Sequence, residues 1–414
     1  MKAVRVPFAR IDTASAARLC LWFYLGTLFV SVAYILTTGT FNGDFYGVPV
    51  TLGSWELSFS ILAAVAPYFF GYWLYLRFYR RAPAPTVRVG NALLGNAFFI
   101  VTLWFILLAY KYDVGVLGRE LYDAPALIKP FIQITNRLNP FYLGAFFIVG
   151  YKGAKKTIAL GIALMITLGL LRAGLGVFMY VLLALVIRNH RNFRGVFRRH
   201  FFKIVIMALV LPLGASQLYS LRSELRDKED LDASLTATEI ITARLVGRLS
   251  SISNSSFVLQ EIAQFRSDVK PLDPWYFQRQ SLAPLLGVGI IPEITPERLL
   301  INVNGSSLLD VSFMTGVAGN LLMAASKSPL IAVMNLITMI SMCWLTFYIA
   351  NKLALPYRNE VAFMLLLYPL TSGVGNEFSG LALSMLALVI VFTLVNSLSI
   401  RKRRPHALQA GERP

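Results

Sequence analysis

The residues best placed to do chemistry in this chain are arginines. Arg244, Arg248, Ser251 and Ser255 recur at spacings of four, three and four, which puts them on one face of a helix. The adjacent face is apolar, with Ile241, Leu245, Leu249 and Ile252, and Thr236 and Glu239 stand at capping-box spacing upstream. No acid lies between Glu239 and Glu261, so Arg244 and Arg248 have no carboxylate nearby in sequence. Two guanidiniums flanked by hydroxyls bind anionic oxygens through paired hydrogen bonds, which is the chemistry of a phosphate site. Arg172 is the third candidate. It sits among Leu170, Leu171, Ala173 and Leu175, and a cation at membrane depth costs about 2.5–3.5 kcal/mol, which is why such residues face cavities or anions. Candidate acids for proton transfer are Glu239, Glu261, Asp310 and Glu377. Tyr122, Trp275, Tyr276 and Phe277 could stack on sugar rings or sit in an interfacial aromatic belt. Cys20 and Cys343 lie inside apolar blocks, so neither a disulfide framework nor a cysteine metal site can be built.

The elements that carry these residues are read from composition. The chain has 414 residues, of which 56% are apolar and 14% charged, against about 45–50% and ~25% in an ordinary soluble domain. Its apolar residues run in long blocks at 19–36, 55–76, 92–110, 126–151, 157–187, 201–219, 329–350, 359–375 and 378–399. This is an all-α, polytopic helical membrane protein. Sorting the charges by alternate connecting segments places 24 of the 39 basic residues, but only three of the 21 acids, on one side. That bias orients both termini and the basic segments to the cytoplasm. It also accounts for the net charge of +18 without nucleic acid as a partner.

Block 157–187 is too short for two full crossings, which need about 40 residues. It predicts a hairpin of two short helices, 157–170 and 174–187, with Arg172 at its turn. The pattern then requires ten membrane helices, with 309–326 a candidate eleventh or a re-entrant piece. The chain divides into N-terminal membrane helices (1–219), one large external loop (220–307), C-terminal membrane helices (308–400) and a basic cytoplasmic tail (401–414). No phosphate-binding glycine loop or kinase signature occurs on the basic side. Function is therefore expected on the outer face. His190, His200 and His406 all fall in basic stretches assigned to the cytoplasm, away from it.

This organisation resembles the bacterial oligosaccharide repeat-unit (O-antigen, Wzy-type) polymerases. The resemblance rests on Arg244-Leu-Val-Gly-Arg-Leu-Ser-Ser-Ile-Ser-Asn254 in the large loop, Leu170-Leu-Arg-Ala-Gly174 in the hairpin, and Phe313-Met-Thr-Gly-Val-Ala-Gly319 after the loop. It implies a membrane-embedded C-class glycosyltransferase of the bacterial inner membrane with its large loop in the periplasm. Such an enzyme moves a glycan from one undecaprenyl pyrophosphate to a second lipid-linked repeat unit, without metal or other cofactor. By the resemblance, Arg172, Arg244 and Arg248 would hold the pyrophosphate, and Asn254, Tyr122 and Trp275 would bind glycan. Glu239 and Asp310, flanking the matching segments, would be the catalytic acids, and a chain-length regulator protein would be a partner. A transporter or flippase of lipid-linked glycan, and an O-antigen ligase, are the competing readings; the absence of an external histidine weighs against the ligase.

Overall fold

The computed structural model describes residues 14–116, 124–135, 138–172, 174, 176–192, 195, 199, 246–268, 272–303 and 314–403. In chain order the first helices are α1 (Ala14–Thr38), α2 (Ser54–Arg80), α3 (Asn91–Tyr112), α4 (Lys129–Thr135), α5 (Pro140–Gly150), α6 (Lys155–Leu171) and α7 (Gly176–Asn189). Then come the short helices α8 (Gly247–Ser250), α9 (Ile252–Gln260), α10 (Ile262–Asp268), α11 (Tyr276–Leu286) and α12 (Pro296–Val303). The chain closes with α13 (Gly316–Lys327), α14 (Pro329–Ala350), α15 (Arg358–Ser372) and α16 (Gly375–Arg403). Among the described residues the only strands, β1 (Val87–Arg88) and β2 (Leu353–Ala354), form one short parallel pair.

Five helices, α1, α2, α3, α14 and α16, are long and apolar enough to cross a bilayer. Their outward faces carry Trp22, Phe29, Leu62, Trp73, Leu107 and Ile337, all large and exposed. Exposed apolar bands of this kind are stable against lipid, where helices satisfy their own backbone bonds. The protein is embedded in a membrane. At the centre of the bundle stands α15, buried along nearly its whole length and packed by α1, α2, α5, α7, α14 and α16. At 15 residues it rises only about 22 Å, short of the ~30 Å hydrocarbon core.

The apolar block at 126–151 predicts one helix, and here the structure differs. Asn139 accepts a hydrogen bond from the Phe141 amide at 2.9 Å, and Pro140 stands at the first helical position. A side-chain cap followed by proline starts a new helix, so α4 and α5 are separate. Every residue of α5 from Tyr142 to Gly150 is buried, so its apolar character reflects the protein core and not lipid. Residues 309–326 likewise contribute α13, whose 12 residues rise about 18 Å, too little to cross alone. Block 201–219 lies outside the described residues.

The helix ends segregate. Thr86 and Val87 donate to the Lys352 carbonyl at 3.0 and 2.9 Å. Arg358 donates to the Pro83 carbonyl, Asn396 to the Arg88 carbonyl, and the Lys152 amide to Asn91. The Arg188 guanidinium donates to the carbonyls of Ile148 and Tyr151. These contacts gather the basic connecting segments 77–91, 150–156, 188–192 and 352–358 at one end of the bundle. The glycine- and serine-rich segments around 42–44, 247–256, 314–316 and 372–376 meet at the other.

Candidate active site

At this second end the centre is Asp44, on a short 3-10 turn (Gly43–Phe45) between α1 and α2. Several contacts fix the turn. Asn42 accepts from the hydroxyls of Ser31, at 2.7 Å, and Ser253, and its own amide donates to the Ser253 hydroxyl at 3.1 Å. Phe45 stacks on Phe257 of α9 with ring centroids 3.9 Å apart. The backbone then passes so close to α8 that a Cβ added at Gly247 would stand 2.3 Å from the Gly43 nitrogen. Only glycine fits that crossing. It needs Gly43 as well, which adopts φ +72°, a region that side chains disfavour.

Held this way, the Asp44 carboxylate turns into the protein, with only 1% of its side chain exposed. One oxygen accepts from Arg248 Nε at 2.6 Å. The other accepts from Asn254 Nδ2 at 3.0 Å and from the Met314 amide at 3.4 Å. Asn254 also donates to the Met314 carbonyl, while its Oδ1 is buried with no partner. Arg248 keeps 31% of its side chain exposed. A buried carboxylate therefore holds a partly accessible guanidinium in one orientation, and a charge-assisted bond of this length is among the strong ones.

The helix predicted through 244–255 is broken. Ser251 has φ +53°, which ends α8 and starts α9 in a new direction. Arg248 and Ser255 therefore do not share a face, and the arginine's partner is an acid 204 residues upstream, where local spacing gave none. Ser253, Asn254, Ser255 and Ser256 are all buried and bond neighbouring segments instead of solvent. Ser255 donates to the Thr315 carbonyl at 3.3 Å at the start of α13. A second close crossing joins α13 to the end of α15, where a Cβ at Gly373 (φ +70°) would stand 2.3 Å from the Gly316 carbonyl carbon.

Arg172 caps the C-terminus of α6, its amide 3.1 Å from the Leu168 carbonyl. Its guanidinium lies 4.8 Å from the centre of the Phe105 ring. It passes so near Gly115 that a Cβ there would sit 2.9 Å from Cζ. Nε is buried without an acceptor, and among the described residues no carboxylate pairs with this cation. Stacking on an aromatic face offsets part of the burial, but the positive charge is not compensated by a carboxylate there. No contact among the described residues joins Arg172 to the Asp44–Arg248 pair.

Trp275 is exposed; its amide donates to Asp273 at 2.8 Å and its carbonyl accepts from the Arg279 amide at 2.9 Å, and among the described residues no hydrogen bond joins it to Asp44. Its neighbours Tyr276 and Phe277 are fully buried and so cannot stack on a ligand from the surface. Tyr276 donates to Asn320 at 2.7 Å and accepts from Asn335 at 2.8 Å. Tyr122, Glu239, Arg244 and Asp310 lie outside the described residues. Asp44 was missed in the sequence; the available signal was the short Asn42-Gly-Asp44 run, a turn sequence carrying the one acid of its loop.

Next to the Tyr276 network, Glu297 of α12 is buried and accepts from Gln280 at 3.1 Å, leaving its Oε1 without a partner. Burial pushes its carboxyl above the ordinary range, outweighing the bonds from Thr295 and Gln280 that lower it. The folded chain thus holds this proton more tightly than the unfolded one, so stability present in acid is lost as pH rises past the ordinary carboxylate range. Glu297→Gln is expected to raise the melting temperature at neutral pH and flatten that decline. Thermal unfolding of both proteins between pH 4 and 8 checks it.

No family model, curated protein or solved structure matches this chain.

Proposed function

We propose that this protein is a membrane glycosyltransferase that polymerises oligosaccharide repeat units carried on a lipid diphosphate, in the manner of the O-antigen polymerases. In this reading the basic end faces the cytoplasm of the bacterial inner membrane, with both termini, and the Asp44–Arg248 end faces the periplasm. Segment 220–307 is the external loop, and about ten membrane helices make up the bundle, several of them too short to cross the bilayer alone. A lipid-linked glycan enters from the membrane with its diphosphate at the headgroup level, and a second lipid-linked unit supplies the attacking hydroxyl.

The observation that carries the reading is Arg172. It follows the 17-residue α6, whose start lies at the basic end. At ~1.5 Å per residue it is therefore about 26 Å above that end, near the far boundary of a ~30 Å core. A cation without a counter-ion at that depth suits a ligand that brings negative charge from the lipid side. As the glycosyl bond breaks, charge builds on the departing diphosphate, and preorganised guanidiniums stabilise it. Arg248, already oriented by Asp44, is the second such group, and Arg244 is the third by its place in the sequence.

The first test is substitution. Arg172→Ala should leave the protein inserted but reduce long-chain product by about 10²–10³-fold, the usual effect of losing one such donor. Arg172→Lys should recover only part of it, because ammonium lacks the planar fork. Lipopolysaccharide gels of a deletion strain carrying each variant read the result. A single capped repeat in place of a ladder is expected, and a normal ladder from Arg172→Ala would remove Arg172 from the site.

A further inference from the structure

A second unpaired charge lies at the same end. Glu377, in the first turn of α16, keeps accessible surface, although its neighbours Phe378 and Ser379 are buried. Among the described residues its carboxylate has no hydrogen-bond or ion-pair partner. The beginning of α16 is held by Gln280, which accepts from the Gly375 amide at 3.3 Å, and by Ser379, which donates back to the Gly375 carbonyl at 3.2 Å. The helix is fixed while the carboxylate on it is not. The adjacent Asn376 Oδ1 is buried without a partner as well.

What faces Glu377 is a set of tyrosines. Tyr142 of α5, Tyr180 of α7 and Tyr368 of α15 all lie within its electrostatic reach. α16 packs chiefly on α11, α14 and α15, so the tyrosines of α5 and α7 come from helices outside its principal neighbours. Tyr368 also feels Arg248 and Asp44, which puts this tyrosine between Glu377 and the arginine site. Depth agrees. Asn396 of α16 bonds Arg88 at the basic end, and the 19 residues back to Glu377 rise about 28 Å. Glu377 and Arg172 therefore stand at nearly the same height in the membrane.

An unpaired carboxylate beside phenol rings, level with an unpaired guanidinium, is arranged to take a proton from a polyhydroxylated ligand. We propose that Glu377 accepts the proton of the acceptor sugar's hydroxyl as that oxygen attacks the donor's anomeric carbon; this rests on the glycosyl-transfer reading above. The new bond joins the acceptor oxygen to the anomeric carbon, and the bond from that carbon to the diphosphate oxygen breaks. Its electron pair leaves with the lipid diphosphate, and the proton stays on the carboxylate until solvent removes it. No other reactant is consumed. Glu239 and Asp310, expected in this role from the sequence, are alternatives that the same experiment separates.

The test uses the full-length protein in lipid nanodiscs with lipid-linked repeat units extracted from a deletion strain. Glu377→Gln should slow transfer by about 10²–10⁴-fold, the usual contribution of a general base, while donor affinity stays within twofold of wild type. The variant should fold, because Glu377 makes no bond that the amide would lose. Glu377→Asp should retain intermediate activity and displace the acid limb of the rate–pH profile. Transfer by Glu377→Gln within twofold of wild type, or loss of donor binding in step with rate, would overturn the assignment of the base while leaving the polymerase reading intact. An inactive wild type that still binds the donor would overturn both.

Discussion

Asp44→Ala should be among the most damaging single changes in this protein, lowering both stability and product. It removes an acceptor from Arg248, Asn254 and the Met314 amide at once. Breaking a buried ion pair from one side costs about 3–5 kcal/mol. Because Arg248 remains 31% exposed, water recovers part of that, and a loss of roughly 2–3 kcal/mol is the expected figure. Asp44→Asn tests whether charge or shape matters. It keeps the volume but cannot neutralise the guanidinium, so it should destabilise less and lose nearly as much product. Arg248→Ala leaves Asp44 buried with two weaker donors and should resemble Asp44→Ala. The double variant should be no worse than either single one, since the coupling is shared. Unfolding in detergent and ladder length on gels are the two measurements.

Gly247→Ala has an effect of comparable size through the backbone alone. The added methyl would meet the Gly43 nitrogen at 2.3 Å and its Cα at 2.5 Å, and a backbone cannot rotate out of the way as a side chain can. Overpacking commonly costs about 1–3 kcal/mol. Here the strain falls on the turn that presents Asp44, so activity should fall further than stability. Gly380→Ala is the matched control, because a Cβ there meets nothing within 4 Å. It should be neutral or slightly stabilising in mid-helix. If Gly247→Ala and Gly380→Ala behave alike, the crossing of Gly43 and Gly247 does not position the site.

How much of this was legible beforehand follows from which forces act locally. Hydropathy alone locates α1, α2, α3, α14 and α16, because a span must be apolar over its own length whatever it packs against. The same signal misreads 126–151, since α5 is apolar for burial in protein and the interruption is set by Asn139 and Pro140. Helical spacing placed Arg248 and Ser255 on one face because nothing in the residue types announces a positive φ at Ser251. The partner of Arg248 was illegible for a different reason. Periodicity ranks neighbours along the chain, whereas Asp44 is brought over by a turn docked on Ser253 and Phe257. Arg172 was readable as an anomaly, a cation in an apolar run, and the structure adds its ring partner Phe105. Glu377 was visible as one of four acids, but only the surrounding tyrosines distinguish it.

The account stands on a diphosphate held by guanidiniums as it leaves a sugar. The most direct measurement follows purified protein in nanodiscs, supplied with lipid-linked repeat units extracted from a deletion strain, by mass spectrometry. Products longer by whole repeat units, with one free lipid diphosphate released per bond formed and none from Arg172→Ala, are the predicted result. Unchanged donor that has merely crossed to the other leaflet would contradict it.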